Sequence, residues 1–357
     1  MLHDIVKQFF PDASVASIEP YGNGHINTTY KLALEGRHQQ YILQHINTQV
    51  FRDPQSIAET HLKLQEHLAA NGQMIEIADL IPTADGHPLH TDKEGAVWRM
   101  TSFITDSHTI EVVEKGWQAL EAGKAFGWFA KACSSLDAAD FPEAIKDFHR
   151  LSFRIGQLNE AIAHNKVGRY DGVKDVIAFF KEREGQLSQV EAFVDQGQIP
   201  LRVVHNDTKI NNLLFRGEKA VAVIDLDTVG QGILYFDYGD ALRTSANTAE
   251  EDEKDLDKVQ FNMEAFTAFT KGYLGMVRPI LSEHETTYFY LAPKLMTYII
   301  GIRFLADYLN GDVYYKTKYI RHNIDRCLVQ AKLIESMEQH EEAMKEIIQD
   351  ALMEVAE

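Results

Sequence analysis

The hydrophobic residues of this chain change their period once, and that change limits the folds open to it. Up to about residue 105 the pattern is mainly that of strands. Ile26, Thr28, Tyr30, Leu32 and Leu34 alternate with Asn27, Thr29, Lys31 and Ala33, so one set of side chains faces a core and the other does not. Tyr41-Ile42-Leu43 follows a turn containing Gly36 and predicts a hairpin, and Ala96 to Phe103 predicts a further strand. Between them Ile57, His61, Leu64 and Leu68 recur at helical spacing and stop at Asn71-Gly72, a favourable helix end. From about Glu111 the period is helical: Phe126, Phe129, Cys133 and Leu136 mark one face, and Val329, Leu333, Met337, Met344 and Ile348 another. Segregated periods of this kind predict an α+β protein. Its expected parts are a small β-rich lobe, residues 1–105, a linker near 104–110, and a large, mostly helical lobe within 106–357.

One island of strand interrupts the helices. Leu201-Arg202-Val203-Val204, Leu213-Leu214-Phe215 and Val221-Ala222-Val223-Ile224 are separated by short polar turns and frame His205-Asn206-Asp207-Thr208-Lys209-Ile210-Asn211-Asn212, with Asp225 directly after the last strand. The spacing H-x-D-x-x-x-x-N carries chemistry. An Asp on a tight loop can accept the proton of an incoming hydroxyl, and an Asn five residues later with a carboxylate on the adjoining hairpin can hold Mg²⁺ against nucleotide phosphates. With each residue type near about one position in twenty, chance gives this spacing roughly 0.04 times in such a chain, and roughly 0.002 times once the later Asp is required. The alternative is a polar loop in which His205 and Asp207 cap turns and Asp225 ends a strand.

Charge and composition remove other classes. With 35 Lys+Arg against 53 Asp+Glu the net charge is 35 − 53 = −18, which disfavours binding to nucleic acid or to an anionic membrane surface. No signal-like start or membrane-length apolar run occurs, and Cys133 and Cys327 lie far apart in apolar surroundings; a soluble, cytoplasmic chain with free thiols is expected. His284-Glu285 and His340-Glu341 lack the second histidine of a zinc-hydrolase helix, and there is no G-x-S-x-G elbow. The run Glu250-Glu251-Asp252-Glu253-Lys254-Asp255 reads as a solvated charge cluster. The oligomeric state is open, and a monomer is compatible with everything read so far.

The His205–Asn212 loop and Asp225 resemble the catalytic loop and metal-binding Asp of the protein-kinase fold. The chain as a whole resembles the aminoglycoside phosphotransferase-like branch of that fold, and within it the N-acetylhexosamine 1-kinases. The resemblance runs through residues 17–30 and 41–44, Leu201 to Asn212, Ile224-Asp225-Leu226-Asp227-Thr228, and Arg303-Phe304-Leu305-Ala306-Asp307-Tyr308-Leu309. It implies a bilobal kinase-like fold with a nucleotide-binding first lobe, and a second lobe holding the catalytic loop, metal site and acceptor site. It further implies ATP as phosphoryl donor, Mg²⁺, and phosphorylation of the anomeric C1 hydroxyl of N-acetylglucosamine or N-acetylgalactosamine. Other small hydroxyl acceptors in the same fold are an aminoglycoside, choline or homoserine. A catalytically silent kinase-fold ligand sensor is a third reading.

Carried over residue by residue, the resemblance makes Asp207 the base or the group that orients the hydroxyl, and Asn212 and Asp225 the metal ligands. Asp227 is either a third carboxylate at the metal or a turn cap. Lys209 is either a contact to the transferred phosphate or a solvated lysine. Gly22-Asn23-Gly24 precedes a strand, so it suits a lid over phosphates or an ordinary hairpin turn. Where kinases place a strand lysine, this chain has Gln44, which brings hydrogen bonds but no charge, and Glu59 on the following helix has no cation to pair with. For the acceptor the resemblance points to His25, Asp207, Arg303 and Tyr314. Arg303 and Asp307, spaced i, i+4, could instead pair along their helix, and His25 could bridge strands. Thr244 falls where an aromatic residue is expected in the acceptor wall.

Overall fold

The alternation around Tyr30 folds into the centre of a sheet. The structure, a computed structural model, describes residues 2–22, 26–72 and 74–354. Helix α1 (Leu2–Phe9) and strand β1 (Val15–Pro20) lead into β2 (Thr28–Leu34) and β3 (Gln40–Ile46). Ile5, Val6 and Phe9 of α1 cover Leu32, Leu34, Tyr41 and Leu43, which form one buried cluster with Trp98 and Met100. Helix α2 (Pro54–Asn71) starts where the Asp53 carboxylate accepts the Ser56 N–H, with Pro54 in the first turn, and stops at Gly72, whose φ of 78° favours glycine. Strands β4 (Leu80–Ile81), β5 (His90–Thr91) and β6 (Val97–Ser102) complete an antiparallel sheet ordered β1-β2-β3-β6-β4, with β5 also on β6. Its register sets Thr29, Gln44 and Arg99 side by side on three successive strands.

The second lobe contains α3 (Gly116–Ala132), α4 (Leu151–His164) and α5 (Lys174–Asp195), then the strand island. The island holds β7 (Arg202–Val204), β8 (Leu213–Arg216), β9 (Lys219–Val223) and β10 (Gly230–Gly232). It is followed by α6 (Leu234–Ser245), α7 (Met263–Val277), α8 (Glu283–Tyr288), α9 (Leu291–Asn310), α10 (His322–Gln339) and α11 (Glu341–Met353). Helices α3 and α7 cross at backbone contact. A Cβ on Gly123 would lie 2.2 Å from the Phe269 carbonyl oxygen, and one on Gly272 would lie 2.3 Å from that of Leu120. The island is two separate ribbons: β8 pairs with β9, whereas β7 pairs with the short β10.

The lobes share a core. Leu64 and Leu68 of α2, with Ile75 and Ile77, belong to the same buried cluster as the helices of the second lobe. Glu76 bridges to the β9 edge, donating to Val221 O at 2.7 Å and accepting from Val223 N at 3.0 Å. This ties the first lobe to the hairpin that ends at Asp225. Both cysteines are buried and free, and among the described residues no helix is long and apolar enough to cross a membrane. The acidic run is more than solvated charge: Glu251 binds Arg243, and Asp252 binds His322 and Lys318.

Candidate active site

Asp207, Asn212 and Asp225 meet because the loop between β7 and β8 folds back on the hairpin. His205 is fully buried; its Nε2–H donates to Ile224 O at 3.0 Å and its Nδ1 accepts the Asp207 N–H at 3.3 Å. Burial keeps this ring neutral, so it acts as a fixed strut. Asp237, at the start of α6, accepts the backbone N–H groups of His205 at 2.8 Å and Asn206 at 2.7 Å. Asn206 and Asp225 both take left-handed backbone, with φ of 65° and 58°. Asn and Asp tolerate this better than most residues, and local strain of this kind clusters at functional sites. The Ile224 N–H donates to Asn212 O at 2.9 Å, which puts Asp225 beside the loop.

The side chains divide the work. Lys209 Nζ lies 2.9 Å from one Asp207 oxygen, and Asn212 Nδ2 donates to the other at 3.0 Å. Burial pushes the Asp207 carboxyl up, but Lys209, His205 and Asn212 outweigh it and the carboxyl titrates below its ordinary range. Lys209 is shifted upward by the same contact. The Asn212 amide also donates to Asp207 O at 2.8 Å, which leaves Oδ1 as the atom it can offer a cation. Asp225 accepts no hydrogen bond from any described residue. It is open to solvent along the cleft yet walled by protein, and burial, then the Asp227 and Asp207 carboxylates, push it up to about 7. An unsatisfied carboxylate beside an amide oxygen suits Mg²⁺, which takes one or two protein oxygens together with phosphates. Among the described residues no three His, Cys, Asp or Glu side chains form a cage of their own.

Several expected residues do other things. Asp227 neither caps a turn nor stands free for a metal. It is 2% exposed, one oxygen pairs with Arg99, and the other accepts from Asn27 Nδ2 at 2.8 Å. A carboxylate this deeply buried is held by matched charge. Gln44 turns its amide to neighbours rather than to the cleft, donating to Thr29 Oγ1 at 3.0 Å and accepting from Arg99 Nε at 2.8 Å. Glu59 is exposed and bound to Gln55. The cation that Gln44 lacks is thus present one strand over, as Arg99. Gly22 lies at the end of the β1 side of the loop with φ of 78°, while Asn23, Gly24 and His25 fall outside the described residues.

On the acceptor side, Arg303 does not pair with Asp307. The Asp307 carboxylate accepts the N–H groups of Val313, Tyr314 and Tyr315 and the Asn323 amide. Arg303 instead faces the rings of Phe148, Tyr315 and Tyr314, at 5.0, 5.7 and 6.0 Å. His149, next to Phe148, donates to Asn206 O at 2.9 Å, so this aromatic basin abuts the catalytic loop. Phe148, His149 and Tyr315 carry no motif, and nothing in their spacing marks them. Thr244 turns its hydroxyl into α6, onto Asp240 O and Ala241 O.

Comparison with known proteins agrees with this architecture. Residues 17–269 match the model of the phosphotransferase enzyme family, and the chain belongs to that family. Its fold is the bilobal kinase-like fold of the aminoglycoside phosphotransferases. An aminoglycoside phosphotransferase from Alicyclobacillus acidocaldarius superimposes with a TM-score of 0.66 at 11% identity, over 97% of this chain and 95% of that one. A microcompartment-associated aminopropanol kinase gives 0.60 at 14%, over 96% and 98%. ADP-bound aminoglycoside phosphotransferase APH(2'')-Ib gives 0.56 at 14%, over 94% and 98%.

Proposed function

We propose that this phosphotransferase transfers the γ-phosphoryl group of ATP to the anomeric C1 hydroxyl of an N-acetylhexosamine, N-acetylglucosamine or N-acetylgalactosamine, giving the 1-phosphate and ADP. The first lobe, residues 1–105, takes the nucleotide with Gly22-Asn23-Gly24 over its phosphates, and residues 106–357 bring the acceptor. Asp207 receives the hydrogen bond of the C1 hydroxyl and takes its proton as the O1–phosphorus bond forms and the bond to the ADP oxygen breaks. Lys209 keeps Asp207 ionised and offsets charge on the transferring group. Asn212 and Asp225 would hold Mg²⁺, which supplies charge neutralisation at the β- and γ-phosphates.

The observation that favours a sugar is Arg303. It is a guanidinium without a carboxylate partner among the described residues, set in a basin of three rings beside the catalytic loop. Such a group donates to sugar hydroxyls and an acetamido oxygen while an aromatic face covers the ring, with Tyr314 alongside. A cationic acceptor such as choline or an aminoglycoside would meet the wrong charge there. An ADP-release assay across hexoses, N-acetylhexosamines and amino alcohols tests this. Turnover confined to N-acetylhexosamines, with an acid-labile phosphate product, is expected. Preference for an amino alcohol or aminoglycoside, with an acid-stable product, would overturn it, and absence of turnover with every acceptor would favour a ligand sensor.

A further inference from the structure

Arg99 belongs to no motif, yet it stands at the junction of the two lobes. It is 5% exposed on β6, and a guanidinium so buried persists only where its donors are matched. Nε donates to Gln44, Gln44 is fastened in turn to Thr29, and Nη1 pairs with Asp227. The other Asp227 oxygen is held by the Asn27 side-chain amide, whose Oδ1 accepts the Asn47 N–H at 3.0 Å. Two residues of the first lobe therefore grip one carboxylate of the second. Helix α2 offers Arg99 no competing anion. Glu59 faces solvent, and His61 donates to Ala78 O at 2.7 Å as a neutral ring, held down to about 4 by burial and by the Arg99 charge. Among the described residues Asp227 is the carboxylate that Arg99 pairs with.

Asp227 lies two residues beyond Asp225, inside the short helical turn Leu226–Thr228. Asp225 is in left-handed backbone, so the direction of its side chain is set by where that turn is anchored. The far end of the turn is fixed by the Thr228 hydroxyl on His205 O at 2.8 Å. Its middle is held by the buried Leu226 side chain and, from across the junction, by the Arg99 and Asn27 contacts to Asp227. We propose that Arg99 is a positioning residue for phosphoryl transfer, which by clamping Asp227 aims the Asp225 carboxylate. This rests on the phosphoryl-transfer reading above. Groups that orient metal ligands in this way typically change metal affinity by roughly 10- to 100-fold when removed.

Calorimetry with ADP, in Mg²⁺ and in EDTA, on the full chain tests the proposal. Arg99→Met and Asp227→Asn should each weaken ADP binding in Mg²⁺ by roughly 10- to 100-fold while leaving ADP binding in EDTA close to that of the parent. The double variant should be no worse than either single one, and Arg99→Lys, which keeps the ion pair, should recover most of the affinity. Should Arg99→Met not fold, Asp227→Asn and Arg99→Lys give the same comparison. Equal losses with and without Mg²⁺ would overturn the proposal, since Arg99 would then touch the phosphates or only stabilise the lobe. Parental affinity in both single variants would overturn it too. A parent chain that binds ADP without any dependence on Mg²⁺ would instead sink the phosphoryl-transfer reading itself.

Discussion

Replacing Asp307 by Asn changes one atom at the end of α9 and should dismantle the loop that shapes the acceptor basin. Asp307 is buried, and each of its carboxylate oxygens accepts two donors. One takes Val313 and Tyr314, both at 2.9 Å; the other takes Tyr315 at 3.0 Å and Asn323 at 2.9 Å. An asparagine keeps one oxygen and turns an NH₂ toward the other two donors. Losing two hydrogen bonds to a charged group costs about 1.5–3 kcal/mol each, or roughly 3–6 kcal/mol together. If the loss is felt globally, roughly 3 kcal/mol lowers Tm by about 6–12 °C for a lobe of this size. If residues 311–315 open locally instead, the penalty stops at the free energy of that opening. In both cases Tyr314 and Tyr315 leave Arg303, so the KM for the proposed acceptor should rise by at least about tenfold, equivalent to about 1.4 kcal/mol. ADP affinity should stay at the parental level, because the nucleotide side is untouched. The assay is thermal unfolding combined with sugar and nucleotide titrations. A Tm within about 1 °C of the parent and an unchanged sugar KM would refute the reasoning.

Three further outcomes are expected. Arg303→Met should raise the acceptor KM by roughly 10- to 100-fold, the scale of one lost charged hydrogen bond, without altering ADP affinity; an unchanged KM would remove Arg303 from the acceptor site. Asp225 sits at about 7 in the folded chain, against about 4 when unfolded. Its contribution to stability is present below the unfolded value and is lost as pH rises through the folded one. Metal binding needs the ionised form, so Mg²⁺-dependent ADP affinity should climb between about pH 6 and 8, and a flat profile by calorimetry would contradict this. Gly123→Ala places a methyl on the α7 backbone and should cost at least about 1–3 kcal/mol. Gly275→Ala, with no atom within 4 Å of the new carbon, should be neutral or slightly stabilising in the same melts.

What the sequence revealed and what it hid follow from range. Asp207 and Asn212 share one loop, and Asp225 closes the neighbouring hairpin, so spacing alone was enough to expect them side by side. The Arg99–Asp227 pair joins positions 128 residues apart and Asn27–Asp227 joins positions 200 apart, and no local pattern signals such contacts. Asp307 shows the limit of local spacing: the i, i+4 interval left a pair with Arg303 open, whereas the carboxylate is taken by backbone N–H groups of the following loop and by Asn323. Strand β1 escaped because its burial follows no period-two pattern. The pairing of β7 was hidden because its partner β10 is three residues of Gly-Gln-Gly, without the branched or aromatic residues that mark strands.

The most direct test is phosphorus NMR of the chain incubated with ATP, Mg²⁺ and either N-acetylhexosamine. The parent should produce a sugar 1-phosphate that mild acid cleaves, and Asp207→Asn, still folded and still binding ADP, should form it roughly 10²- to 10⁴-fold more slowly. An acid-stable phosphate ester, or an Asp207→Asn variant that turns over at the parental rate, would contradict the account.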